Sequence, residues 1–144
     1  MARNLRDLAS DLRALSVSVG TVGSETAKTA ALAVITDLAN VTPVDTSQAI
    51  SNWRITLNQR AVLALPPYVH GKKGSSQAES IKATIDAAKL VLAAKKPGDI
   101  IWISNVLPYV GLLNDGSSTQ APAGFVDRAV LIGRKLTENI QVIK

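Results

Sequence analysis

The sequence predicts an α+β fold, in which a long N-terminal helix and two further helices pack on a small, mostly antiparallel sheet. Apolar residues recur every three or four positions in the first forty residues and in two later segments, which is helical spacing. Two short segments instead carry the alternating or continuous apolar pattern of strands. Because no linker or internal repeat divides the 144 residues, we expect residues 1–144 to form a single domain.

The N-terminal helix carries a regular apolar seam. Its members are spaced 3-4-3-4-3 along the chain and are Leu5, Leu8, Leu12, Leu15, Val19 and Val22. Such a seam predicts packing on the sheet of the same domain or, as the alternative, a helical contact with a neighbouring subunit. Gly20 and Gly23 predict either a break into two helices or a close packing contact, since glycine disfavours a helix interior.

The next segments predict a turn, a short helix and a strand. Pro43 ends the first helix, because proline disfavours helical backbone at the residue before it. Asp45 or Thr46 is expected to cap a short helix, since their oxygen atoms can accept from the free amides of its first turn. Residues 53–57 alternate apolar and polar side chains, as a strand does, and we expect Trp53 to anchor the core.

A second helix is predicted over residues 76–94, followed by a buried strand. The apolar stripe of this helix consists of Ile81, Ile85, Ala88 and Leu92. Lys95 and Lys96 complement the dipole at its C-terminal end. Residues 99–105 are almost continuously apolar, which predicts a strand that is buried on both faces and that Trp102 anchors in the core.

The C-terminal third predicts a short helical turn and a last helix. The turn covers residues 108–113 and ends near Gly116, because glycine accepts the positive φ that a chain reversal needs. Pro122 and Gly124 set the direction in which the last helix begins. The face that this helix is expected to bury consists of Phe125, Ala129, Ile132, Leu136 and Ile140.

The composition excludes several classes of function. The chain has no cysteine and a single histidine, His70, so we expect no disulfide framework, no thiol chemistry and no metal centre. No apolar run approaches the roughly 20 residues of a membrane span, and the N-terminus lacks the apolar region of a signal peptide. The loop at residues 71–75 does not match a phosphate-binding loop, and the carboxylates are scattered. We therefore expect no catalytic residue, cofactor, small-molecule substrate or membrane partner, and no enzyme.

The basic residues are unevenly distributed. The chain has 16 basic and 11 acidic residues, a formal charge of +5, and no acidic residue between Asp45 and Glu79. This acid-free segment includes a long loop at residues 66–76, which can face DNA phosphates or an acidic protein surface, or can be an ordinary solvated loop. The docking residues that we predict are Arg54, Arg60, Tyr68, His70, Lys72 and Lys73.

Three stretches, in order along the chain, carry a family resemblance. They are TPVDTS at 42–47 followed by Trp53, NVLPYV at 105–110 followed by Gly116, and QAPAGFV at 120–126. Together they resemble the signatures TPVDTG…W, N-x-x-PYA-x-x-L-E-x-G and QAPAGMV of the neck or tail-completion proteins of tailed bacteriophages. This sequence departs from those signatures at Ser47, where glycine is commoner, at Val110, where a small residue is commoner, and at Asn114, where an acid is usual.

The resemblance implies a structural virion protein that is assembled in the host cytoplasm and lies in the phage neck or tail. It implies a homo-oligomeric ring, sixfold or twelvefold, with the portal or adaptor and the tail proteins as partners and DNA in the channel as a further contact. The residues that the resemblance marks as defining the fold are Pro43, Asp45, Thr46, Trp53, Asn105, Pro108, Tyr109, Gly116, Pro122 and Gly124.

Two other classes of function stay open. A small nucleic-acid-binding module would place Lys72, Lys73, Lys95 and Lys96 on phosphates. The weaker alternative is a hydrolase that uses an aspartate together with His70.

Overall fold

The computed structural model describes residues 5–42, 47–71, 73–108, 110–116 and 123–138, with the backbone alone over 5–22 and at Leu112 and Glu138. The elements in chain order are α1 (Leu5–Val41), α2 (Gln48–Ser51), β1 (Arg54–Leu57), α3 (Gln77–Ala93), β2 (Ile101–Ser104), α4 (Val110–Asn114) and α5 (Phe125–Glu138). The long N-terminal helix, the further helices and the small antiparallel sheet confirm the predicted α+β fold.

Helix α1 is continuous over its 37 residues, a length of about 55 Å. It passes through Gly20 and Gly23 without a break, so the predicted division into two helices is wrong. Gly23 does not mark a close contact either, because a Cβ built there would meet no atom within 4 Å. The surrounding turns of helix therefore tolerate the glycines despite their low helical propensity.

Helices α3 and α5 both pack along the C-terminal half of α1. Helix α5 runs antiparallel to α1, since its Arg128 pairs with Asp37 at 2.8 Å and its Gly133 lies against Val34. At the other end of the contact, just after α3, the Nζ atom of Lys95 donates to the Oγ atom of Ser24 at 3.0 Å. The main core lies between these helices and the sheet and includes Ile35, Leu38, Trp53, Ile55, Leu92, Phe125 and Ala129.

The buried stripe of α3 differs from the predicted one in its first half. It consists of Ser80, Thr84, Ala88 and Leu92. Ile81 and Ile85, which were predicted to belong to this stripe, are half-buried at its edge, and Ile81 packs against Ala39 and Ile50. Small hydroxyl side chains fit the close approach of α2 and satisfy its backbone, because the Oγ1 atom of Thr84 donates to the carbonyl oxygen of Ile50 at 3.3 Å.

The sheet consists of two antiparallel strands, with Arg54 of β1 opposite Ser104 of β2. One face packs into the core through Ile55, which is buried. The other face carries Trp102, whose exposure of 41% contradicts both its predicted role as a core anchor and the burial of β2 on both faces. The helices cover only one face of the sheet, so Trp102 on the outer face remains partly open to solvent.

The C-terminal elements agree with the predicted turn and last helix. Gly116 ends the turn with a φ of 94°. Phe125 and Ala129 of α5 are buried as predicted, whereas Leu136 is exposed, which contradicts its predicted place in the core. The apolar face of α5 thus opens toward its C-terminal end, and Ile140 lies outside the described residues.

Candidate functional site

The first motif joins the end of α1 to the start of the sheet. The indole Nε1 atom of Trp53 donates to the Oγ1 atom of Thr42 at 2.8 Å, and that hydroxyl donates in turn to the carbonyl oxygen of Leu38 at 2.5 Å. Trp53 is buried, as predicted for a core anchor. The remaining motif residues Pro43, Asp45 and Thr46 lie outside the described residues.

The second motif connects the first and the third. The side-chain amide of Asn105 donates to the carbonyl oxygen of Ala49 in α2 at 2.9 Å. The backbone of Asn114 accepts from the Gly124 amide at 2.6 Å, and its side-chain Oδ1 atom accepts from the amide of Val126 at 2.9 Å. An amide oxygen at position 114 thus caps the first turn of α5, a task that the acid usual in the family signature could also perform.

The structure describes only some of the other motif positions. Pro108 is exposed in the turn before α4, while Tyr109 and Pro122 lie outside the described residues. The described motif residues act as joints between elements, which agrees with the turn, cap and core roles expected for them.

The positions where the family signatures have glycine share one backbone conformation. Ser47, Gly116 and Gly124 have φ values of 68°, 94° and 79°. Left-handed backbone costs an L-residue roughly 1–2 kcal/mol, whereas glycine adopts it freely. Ser47 occupies the N-cap position of α2, makes no side-chain cap, and instead lies 2.9 Å from the Oγ atom of Ser76.

The loop of residues 59–65 lies over the outer face of the sheet. The guanidinium of Arg54 donates to the carbonyl oxygen of Leu63, and the Thr56 hydroxyl donates to that of Gln59. Because Arg54 and Thr56 are two positions apart in β1, both point to the outer face. The loop therefore follows β1 back along the chain and is held by the polar side of the sheet.

Asn52 fixes the far end of this loop. Its side-chain Nδ2 atom donates to the carbonyl oxygen of Leu65 at 2.8 Å, and its Oδ1 atom accepts from the Leu65 amide at 2.7 Å. The same Nδ2 atom also donates to the carbonyl oxygen of Gln48 at 2.9 Å. Asn52 directly precedes Trp53 in the first motif, but nothing in the sequence pattern indicates that its side chain holds a loop.

Four large hydrophobic side chains are exposed around this loop. Val62, Leu63, Ile100 and Trp102 have exposures of 78%, 73%, 60% and 41%. Arg60 lies among them, since it lines one surface groove with Val62 and Leu63 and another with Trp102. We call these five residues the sheet-side patch. Large exposed apolar side chains grouped in one region of a protein favour a protein–protein contact there.

The predicted docking residues are spread over more than this patch. Arg60 belongs to it, and Arg54 lies beneath it, half-buried and bonded to the loop. Arg54 and Tyr68 line a separate cleft of about 260 Å³ between β1 and α3. His70 and Lys73 are exposed beyond that cleft, and Lys72 lies outside the described residues.

The Arg54 side chain lies between the loop and the cleft. Its Nε atom is buried and has no hydrogen-bond partner among the described residues, although its Nη2 atom bonds the loop. Tyr68 borders the same cleft, and its backbone amide donates to the Ser51 hydroxyl at 2.9 Å. The cleft is thus fixed by α2 as well as by the sheet.

Two further residues bear on the alternatives. Lys95 is only 9% exposed and is bonded to Ser24, so it is not available to a phosphate. Asp99, next to β2, has a pKa below its usual range because it accepts from the backbone amide of Lys96 and from the Asn58 side chain. These bonds favour the ionised carboxylate and fix the turn that leads into β2.

Within the described part of the chain, no group of three or more histidine, cysteine or acidic side chains could hold a metal ion. None of the helices there is both long and apolar enough to cross a membrane. No family model, curated protein or solved structure matches this chain.

Proposed function

We propose that this chain is a structural subunit of the neck of a tailed bacteriophage. Copies associate into a ring, sixfold or twelvefold, that joins the head connector to the tail and completes the tail. The partners are the portal or adaptor and the tail proteins, and the protein makes and breaks no covalent bond. Its place is in the virion, after assembly in the host cytoplasm.

One observation carries this proposal. The three positions at which the family signatures have glycine, 47, 116 and 124, all have left-handed backbone. Only four other described residues have positive φ, so agreement at all three positions favours the resemblance over a chance match of letters. Ser47 has left-handed backbone even though it is not a glycine.

The use of the motif residues gives a second argument. Thr42, Trp53, Asn105 and Asn114 bond other parts of the same chain. Side chains that are bonded within their own chain stabilise the fold, so contacts with partner proteins must come from other surfaces. The sheet-side patch is the surface that fits such a contact, because exposed apolar side chains there lie beside Arg60.

The nucleic-acid alternative has less support. Of the four lysines predicted to contact phosphates, Lys95 is buried and bonded to α1. Apolar side chains, and not lysines, dominate the exposed surface around the loop after β1. Binding through phosphates requires a cluster of exposed cations.

The experiment compares the patch with a control site of equal exposure. We expect a Val62→Asp, Leu63→Asp double variant to bind a portal–adaptor complex about tenfold more weakly than the wild type. The reason is that charged groups replace apolar area that becomes buried on binding. Leu90→Asp on α3, where the leucine is 76% exposed, is the control and should bind like the wild type. Native mass spectrometry of each protein, alone and with the complex, measures both ring formation and binding.

Two results would count against the proposal. Wild-type protein that stays monomeric both alone and with the complex would contradict the neck-ring function. Equal binding by the patch variant and the control would show that the sheet-side patch is not the docking surface. The Arg54 bond to the loop uses the carbonyl oxygen of Leu63, so the substitution leaves that bond in place.

A further inference from the structure

Alternate residues of β2 direct their backbone polar groups away from β1. In an antiparallel pair, residues directly opposite each other alternate between pairs that are joined by hydrogen bonds and pairs that are not. The amide of Asn58 donates to the carbonyl oxygen of Ile100 at 2.8 Å, so this pair is of the first kind, as are the pairs two and four positions further along β2. Ile101 and Ile103 lie between these pairs, and their backbone N–H and C=O groups therefore point to the outer edge of β2.

This outer edge lacks a neighbouring strand. The sheet of the described residues has two strands, so β2 has β1 on one side only. Within the described part of the chain, the backbone groups of Ile101 and Ile103 make no hydrogen bond outside the β1–β2 pairing. Unpaired N–H and C=O groups along an edge strand are the groups to which a further strand binds.

Strand β2 also lacks the features by which proteins keep an edge strand from pairing. Such features are charged side chains, proline and bulges. Residues 100–104, IIWIS, contain neither a charged residue nor proline, and their register with β1 has no bulge. Ile100 and Trp102 of this segment are exposed members of the sheet-side patch. The outer edge of β2 and the patch therefore adjoin on one strand.

We propose that the adjoining protein binds by adding an extended segment to the outer edge of β2 as a third strand. This inference rests on the proposed function, which assigns the sheet-side patch to that protein. It adds the form in which the partner binds. The backbone of the segment pairs with that of Ile101 and Ile103, and an apolar side chain of the segment lies beside Trp102 on the outer face of the sheet.

A second copy of the chain fits this edge less well. By the same alternation, the backbone groups of Ile55 point to the outer edge of β1, but Ile55 is only 3% exposed, so that edge is not open to a strand of another copy. Two β2 edges that pair with each other form a two-fold contact, which closes after two copies and does not by itself build a ring. A segment of a different protein meets neither obstacle.

Hydrogen exchange at single residues tests the proposal on the wild-type protein, with the portal–adaptor complex as the probe. We expect the amides of Ile101 and Ile103 to exchange about tenfold more slowly, or slower still, when the protein is bound to the complex. The amide of Trp102 is the internal control, because its pairing with β1 protects it in both states.

Two substitutions at one position separate the backbone from the side chain. Ile103→Pro removes the outward N–H and Ile103→Ala keeps it, while both shorten the side chain. An edge strand tolerates proline where the N–H faces solvent. We expect Ile103→Pro to bind the portal–adaptor complex about tenfold more weakly than Ile103→Ala, since a carbonyl group of the added segment then lacks its donor. Circular dichroism shows whether both variants fold, and if Ile103→Pro does not, the exchange measurement on the wild type decides.

Four results would overturn the inference. Binding without slower exchange at Ile101 and Ile103 would show that the edge is not used, although the neck-ring function still stands. Equal binding by the folded proline and alanine variants would show the same. Slower exchange in the protein alone, at concentrations where it self-associates, would assign the edge to a second copy. If the wild type does not bind the complex at all, the proposed function fails together with this inference.

Discussion

Asn52 shows how one buried side chain can organise a loop. It is fully buried, and its amide group makes hydrogen bonds to the backbone of α2 and to both backbone polar groups of Leu65. The loop that Asn52 holds carries Arg60, Val62 and Leu63 of the sheet-side patch. The position of the patch therefore depends on a residue that does not belong to it.

We expect Asn52→Ala to lower the free energy of unfolding by about 2–4 kcal/mol, because it removes three hydrogen bonds and leaves the polar groups of Leu65 without partners. Protease cleavage within residues 59–65 should become faster. Denaturant unfolding and limited proteolysis measure the two effects. Asn40→Ala is the control, since Asn40 is exposed and bonds only its own helix, and its change should stay within about 0.5 kcal/mol. Equal loss of stability in both variants would contradict this role of Asn52.

The two tryptophans show that residue type alone does not predict whether a side chain is buried. Trp53 is buried as expected, whereas Trp102 lies on the open face of the sheet. Both occur in strand-like segments, so local sequence does not distinguish them. The difference arises because Trp102 lies opposite Thr56, on the outer face, which only the pairing of the strands determines.

At the scale of elements, helices α1 and α5 approach so closely that their contact depends on a glycine. A Cβ at Gly133 would come within 2.7 Å of the Cγ2 atom of Val34, far inside van der Waals contact. Valine has a stiff side chain in a helix and cannot turn away easily. Gly133 is therefore required by packing, whereas Gly23 has open space around it.

This pair of glycines gives opposite expectations for one substitution. Gly133→Ala should destabilise the protein by about 1–2 kcal/mol, since overpacking outweighs the gain in helical propensity. Gly23→Ala should stabilise it by about 0.5–1 kcal/mol, because only the propensity changes. Thermal unfolding of both variants measures the difference. A stabilising effect at both positions would contradict the close packing of α5 on α1.

Most elements could be predicted from the sequence because their signals are local. Turn residues and apolar spacing located the helices and the strands near their observed bounds. The predicted cap of α2 at Asp45 or Thr46 is wrong, because Ser47 occupies the N-cap position and makes no side-chain cap. The first half of the buried stripe of α3 was missed, because Ser80 and Thr84 bond distant backbone, which apolar spacing does not reveal. The solvated face of β2 was missed as well, since an apolar strand does not indicate how many layers cover it.

At the scale of the whole molecule, the family motifs and the exposed surfaces have separate tasks. The motif residues Thr42, Trp53, Asn105 and Asn114 bond other parts of the same chain, and Ser47, Gly116 and Gly124 have left-handed backbone. The sheet-side patch lies apart from these joints, and we propose that it meets the adjoining neck or tail protein.

The candidate site was predictable only in part. The acid-free segment led to Arg60, which lies in the sheet-side patch, but also to Arg54, which is half-buried beneath it. The apolar members of the patch were not predicted, because Val62, Leu63 and Ile100 have the composition of core residues. Only the fold shows that the loop turns them outward.

The most direct measurement is an image of the neck of purified phage particles at a resolution that shows secondary structure. We expect a ring of copies of this chain, with the sheet-side patch of each copy covered by an adjoining protein. A neck from which this chain is absent would contradict the account.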